Sequence, residues 1–166
     1  MAVGIVLVEP EIPQNTGNIA RTCAATGSSL HLIKPLGFSV DDKHLKRAGL
    51  DYWNLLDVYY YENIEAFLSA AGNSRMFFIT TKADRLYTDV RYDENCYLVF
   101  GKETKGLPEE LLVEHHETCV RIPMIKEARS LNLSNSAAIA AYEAYRQLNF
   151  LGMQHSGKLH RLTWRD

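Results

Sequence analysis

Hydrophobic and polar positions along the chain switch between short apolar runs and stretches with helical spacing. Residues 2–8, AVGIVLV, form a continuous apolar run rich in β-branched side chains, which predicts a buried strand. Residues 9–13, EPEIP, read as a loop because two prolines break any ladder. Asn15-Thr16-Gly17-Asn18 then places capping residues ahead of a helix over 19–25 that Gly27 stops. Residues 30–33 are the next strand, and strand, helix, strand in this order implies a right-handed parallel crossover. Residues 41–48, DDKHLKRA, predict a short charged helix ended by Gly49, with 50–53 continuing as loop or short helix. Strands are predicted at 58–61, 76–81, 97–100 and 119–122, and helices at 64–71 and 108–113; residues 82–95 are polar and irregular. Residues 122–148 open on Ile122-Pro123, where proline favours an extended backbone, and close in an Ala-rich helix capped by Ser134 or Asn132. The alternation predicts one α/β domain, a mainly parallel sheet with helices on both faces, without repeats or linkers.

Composition narrows the function classes. With 46% hydrophobic and 23% charged residues, the 166-residue chain reads as an ordinary soluble domain. Its formal charge of −2 means that any nucleic-acid binding must use a local basic patch. Two modest clusters qualify: His44, Lys46 and Arg47, and His155, Lys158, His160 and Arg161. Cys23, Cys96 and Cys119 are odd in number and show no paired spacing, which argues against a disulfide framework or a zinc cluster and for small buried side chains. No metal is expected. The N-terminus has no basic region before its apolar run, and no window is long and apolar enough to span a bilayer, so a cytoplasmic protein without membrane contact is expected.

Candidate chemistry sits in three polar segments, each following a predicted strand: the glycine-containing NTGNIART at 15–22 and GKETKGLP at 101–108, and the 123–132 loop. Ligands of open α/β sheets gather beyond the carboxyl ends of strands. GKETKG lacks the ending of a Walker A loop and no dinucleotide fingerprint follows the first strand, which counts against an ordinary nucleotide hydrolase or dehydrogenase. Gly101 and Gly106 permit close backbone approach or unusual torsions. Read alone, Arg21 is a helix surface charge, Glu103 a loop charge and Asn132 a helix cap.

Together, NTGNIART, LVFGKETKGLP and IPMIKEARSLNLSNSAAIAAYEAYRQ resemble the three motifs of the SPOUT superfamily of RNA methyltransferases. The match is nearest to the minimal branch that 2′-O-methylates the wobble nucleotide, cytidine or modified uridine, of tRNA anticodons. It covers nearly the whole chain, including EPEIPQNTGNIAR and DDKHLKRAGLDYW, but not the tail HSGKLHRLTWRD.

The resemblance implies an α/β fold whose C-terminal part, about residues 76–150, is tied in a deep trefoil knot. It implies S-adenosylmethionine as methyl donor, held mostly through backbone groups at Ile79, Gly101, Ile122, Met124, Ser130 and Leu131, with Glu103 facing the donor or bonding across to the 130–132 loop. It also implies that Arg21 stands by the acceptor hydroxyl, with Asn15 and Asn18 orienting it and Ser130 and Asn132 orienting the ribose. Because a guanidinium stays charged, phosphate binding and oxyanion stabilisation suit Arg21 better than a base role. Family members pair through the last helix and the motif 1 helix, so a homodimer with its site at the interface is expected. Ala137, Ala138, Ala140, Ala141 and Ala144 add a physical hint, since small side chains let another helix approach. Tyr142 and Arg146 share one face and could reach substrate or partner. Methylation of ribosomal RNA, a non-catalytic RNA-binding module and a small-molecule α/β enzyme are the alternatives.

Overall fold

The computed structural model describes residues 3–39 and 56–164. Six strands, β1 (Gly4–Val8), β2 (Ser29–Ile33), β3 (Val58–Tyr61), β4 (Met76–Ile79), β5 (Tyr97–Phe100) and β6 (Cys119–Val120), form one sheet in the order β3-β2-β1-β5-β4-β6. Every pairing between these strands is parallel. The helices among the described residues are α1 (Pro13–Thr26), α2 (Ile64–Ala71), α3 (Glu109–Glu114) and α4 (Leu133–Gln147), with a 3₁₀ turn at His116–Thr118. The helix expected at 41–48 and the cluster of His44, Lys46 and Arg47 lie outside the described residues.

The unbroken apolar run of β1 is explained by cover on both faces. Ile5 and Leu7 point into a core shared with Ile19, Ala20 and Cys23 of α1 and with Ala137, Ala140, Ala141 and Ala144 of α4. Val6 and Val8 point the other way, into a core with Phe67 of α2 and Leu111 and Leu112 of α3. A strand sandwiched in this way needs apolar residues at both phases of its period of two. The three cysteines are free and buried, and burial pushes the thiols of Cys23 and Cys96 up to about 12, which leaves them unreactive.

Five expectations are corrected. The first helix begins at Pro13, not after the NTGN segment, because proline fits the first helical turn and its local N-cap, Ile12, makes no side-chain cap bond. Asn15, Thr16 and Gly17 are therefore buried helix residues. The strand expected to reach residue 81 ends at Ile79, and the one expected to reach 122 ends at Val120, with Arg121 making only an isolated bridge to Leu86. The third helix runs over Glu109–Glu114, with Pro108 as its N-cap. Finally, Ala137, Ala140, Ala141 and Ala144 are all 0% exposed within a single chain. Their small size lets α4 settle onto α1 and the sheet of its own subunit, so they carry no argument for a partner helix.

The stretch at 82–95 is irregular but held. Gln147 of α4 donates to the Val90 carbonyl (3.1 Å) and accepts from the Tyr92 amide (3.0 Å), while the Tyr92 ring packs on Phe77.

Candidate active site

Because all strands run parallel, the chain leaves the sheet in the same direction after β1, β4, β5 and β6. Register pairs Leu7 with Phe100, Phe100 with Ile79, and Ile79 with Val120, so these exits lie side by side. The turns that follow enclose a cavity of about 580 Å3. Its wall includes Asn15, Ile79, Gly101, Glu103, Ile122, Met124, Ser130, Leu131 and Asn132. Of the donor and acceptor residues that the resemblance implies, Arg21 and Asn18 alone are not among those lining it.

A hydrogen-bond chain ties the three turns together. The Glu103 carboxylate accepts from the backbone amides of Glu11 (2.9 Å) and Ile12 (3.1 Å) and from Asn15 Nδ2 (3.0 Å). It does for α1 what no local side chain does, satisfying donors at the start of the helix with a negative charge. Asn15 Oδ1 in turn accepts from Asn132 Nδ2 (3.0 Å), and Asn132 Oδ1 caps α4 by accepting from Ser134 N (2.9 Å) and Ser134 Oγ (2.7 Å). Of the two caps open from sequence, Asn132 is the one used. Glu103 reaches the 130–132 loop only through Asn15, and both asparagine amides are occupied in holding turns.

A second set of contacts was not foreseen. Lys102 pairs with Glu9, and Glu11 accepts from the amide (3.1 Å) and hydroxyl (2.7 Å) of Thr104. The Thr104 hydroxyl holds the Glu11 carboxyl below its usual range, and the bond to Glu9 raises the Lys102 ammonium. The sequence signal was available: EPEIP carries two acids, and GKETKG two lysines and a threonine. Glu9 adopts φ 49°, in the left-handed region, as it leaves β1.

The glycines of the middle turn serve both purposes the sequence left open. A Cβ on Gly101 would stand 2.1 Å from Gly106 C and 2.3 Å from Leu107 N, so the close approach is made by the chain's own turn. Gly106 has φ +70° and its amide closes the turn onto the Lys102 carbonyl at 3.0 Å.

Arg21 lies six residues beyond Asn15 on α1, exposed, and is not among the residues lining the cavity of its own chain. It shares an outward stripe with Gln14, Asn18 and Ala25. On α4 the outward positions include Ile139 and Tyr142, 36% and 47% exposed. Arg146 is engaged by Glu143 through two bonds of 2.8 and 2.9 Å. Among the described residues no three His, Cys, Asp or Glu side chains are grouped to hold a metal ion, and no helix is long and apolar enough to cross a membrane.

Comparison with known proteins places this geometry. Residues 2–142 match the SpoU rRNA Methylase family. A tRNA (cytidine(34)-2′-O)-methyltransferase of Methylovorus glucosotrophus is 54% identical over 149 residues, 89% of this chain and 97% of that protein. A solved structure described as giving insights into the 2-OH methylation of C/U34 on tRNA is 47% identical, with a TM-score of 0.86 over 89% of this chain and 97% of that one. The SpoU methyltransferase AviRb of Streptomyces viridochromogenes, solved with AdoMet, is 26% identical with a TM-score of 0.76, over 89% of this chain and 61% of that one.

Proposed function

The chain belongs to the SpoU rRNA methylase family, and from that premise we propose that it transfers a methyl group from S-adenosylmethionine to the ribose 2′-hydroxyl of nucleotide 34, a cytidine or modified uridine, in tRNA. The observation that carries this reading is the single cavity into which three strand-end turns converge, joined through Glu103, Asn15 and Asn132. Close agreement with tRNA-modifying relatives over almost their whole length supports tRNA rather than ribosomal RNA as substrate.

The cavity suits the donor on its own chemistry. About 580 Å3 falls in the range of small-molecule sites, roughly 300–1,000 Å3. Ile79, Ile122, Met124 and Leu131 offer apolar surface for a flat ring, and Ser130 offers polar atoms beside it. The donor's sulfonium supplies an already activated methyl group, so the protein's task is to bind, orient and exclude water. In this reading the backbone at Gly101, Ile122, Met124, Ser130 and Leu131 holds the donor, and the 101–106 turn closes one wall. The C-terminal part of the chain, about 76–150, forms the trefoil knot of its superfamily around that cavity.

Two copies complete the site. Arg21, outside its own cavity, reaches that of a partner subunit, where its permanent charge binds a phosphate and stabilises the oxygen losing its proton. The outward stripe of α1 and the exposed Ile139 and Tyr142 of α4 form the contact between copies. The enzyme works in the cytoplasm.

The test is incubation of the purified protein with methyl donor and unmodified tRNA, followed by mapping of ribose methylation by mass spectrometry. A 2′-O-methylated nucleotide 34 is expected, and Arg21→Ala should lower its rate by about 10²–10³ with donor binding retained. Methylation elsewhere, or loss of donor binding in Arg21→Ala, overturns the assignment.

A further inference from the structure

The matched family region ends at residue 142, and beyond α4 the chain continues into a tail of different character. His155 is its last anchor, with its ring edge-on to Phe150 and Nε2 3.4 Å from the Phe150 carbonyl. Among the described residues, none of 156–164 takes part in a hydrogen bond, ion pair or ring contact. Yet this segment is not composed like a solvated linker. Leu162 and Trp164 are 76% and 73% exposed. The last twelve residues hold Lys158, Arg161 and Arg165 against Asp166 alone, so the remaining chain has 15 Lys and Arg against 19 Asp and Glu. An acidic body thus ends in a basic, aromatic-bearing strand of chain that its own subunit does not use.

We propose that residues 155–164 are an RNA-binding arm. Lys158 and Arg161 contact phosphates of the bound RNA, and Trp164 stacks on an unpaired base. The partner class follows from charge and shape. A polyanion draws the cations out of an otherwise acidic protein, and an exposed indole beside cations suits single-stranded or loop RNA, whose bases present open faces. A second copy of this chain, with four more acids than bases outside the tail, also attracts Lys158 and Arg161, but its charge is sparse beside the one phosphate per nucleotide of RNA, so RNA is the favoured partner. Reach is adequate. The tail starts at the far end of α4, whose 15 residues span about 22 Å from the cap at Asn132 beside the cavity. Ten extended residues cover up to about 33 Å. The arm is therefore long enough to meet RNA that flanks the nucleotide in the cavity.

The inference rests on the proposed tRNA substrate, and the experiment separates the two. The full chain, a chain ending at Gln154, and the full chain carrying Lys158→Gln, Arg161→Gln and Trp164→Ala are compared for tRNA affinity across salt concentration, S-adenosylmethionine affinity and sedimentation. The shortened chain should bind tRNA about tenfold more weakly at low salt, and the slope of log Kd against log salt should flatten by about 1.4, the worth of two phosphate contacts on single-stranded RNA. Donor affinity and oligomeric state should be unchanged, and the triple variant, altered only at exposed positions, should follow the shortened chain. Equal tRNA affinity and salt slope in all three proteins overturns the arm, as does a loss of affinity that appears only together with dissociation of the oligomer. A full chain that binds donor but neither binds nor methylates tRNA overturns the substrate reading, and with it the arm.

Discussion

His31 is the residue whose protonation the fold opposes most openly. It is 4% exposed on β2, with Nε2 2.9 Å from Ser29 Oγ and Nδ1 3.0 Å from Tyr61 Oη, and it stacks on Tyr59 at 4.8 Å. Burial among these rings pushes its pKa down to about 4, from an ordinary value of about 6.5. Between those values the unfolded chain binds a proton that the folded chain refuses. The stabilisation is therefore full above about pH 6.5 and declines as pH falls toward about 4, by about 3 kcal/mol in total. Urea unfolding followed from about pH 7 to about pH 4.5 should show this decline, and His31→Gln, which cannot titrate, should flatten it. A slope that persists in His31→Gln assigns the effect to other groups. No periodicity announces such a residue: His31 sits in an apolar strand, and only the converging rings of Tyr59, Tyr61, Phe67 and Tyr97 show why it stays neutral.

At the scale of elements, α1 is the telling case. Its capping partner is Glu103, separated from Glu11 and Ile12 by 92 and 91 positions. Glu103→Ala leaves two amides and the Asn15 side chain without their acceptor, at a cost of about 1–3 kcal/mol. A lower melting temperature with faster exchange of the Glu11 and Ile12 amides is expected, and Glu103→Gln should recover part of both. Unchanged exchange at these two amides would remove the capping role. Most elements were legible in the apolar runs, because buried parallel strands and amphipathic helices have distinct periods. The start of α1 was not, since NTGN carries capping residue types but is spent inside the helix, and the true cap lies far along the chain. The alanines of α4 misled for a related reason. Small residues mark close approach, and only the packed structure shows that the approach is to α1 and the sheet of the same chain.

For the whole molecule, the three motif segments are legible in the sequence and line the cavity, while the sheet order that juxtaposes them, with β1 beside both β2 and β5, is not readable from local pattern. Nor was the Glu9–Lys102 and Glu11–Thr104 clasp, which depends on that order. Arg21 belongs to this scale, because under the proposed function its place outside its own cavity gives it a role only in an assembly. Mixing Arg21→Ala chains with Gly101→Val chains, whose added side chain collides with the Gly106–Leu107 backbone, should restore methylation that neither homogeneous protein shows. Failure of mixed, re-equilibrated subunits to regain activity would assign each Arg21 to its own chain.

The distant cap also bears on synthesis. A ribosome releases residues 11–26 long before it has made residue 103, so the protein's first helix is born with the two amides that lead into it, those of Glu11 and Ile12, turned to water. Only when the loop after β5 has emerged and found its place can that opening turn be finished, which makes the beginning of this polypeptide one of the later parts to be completed.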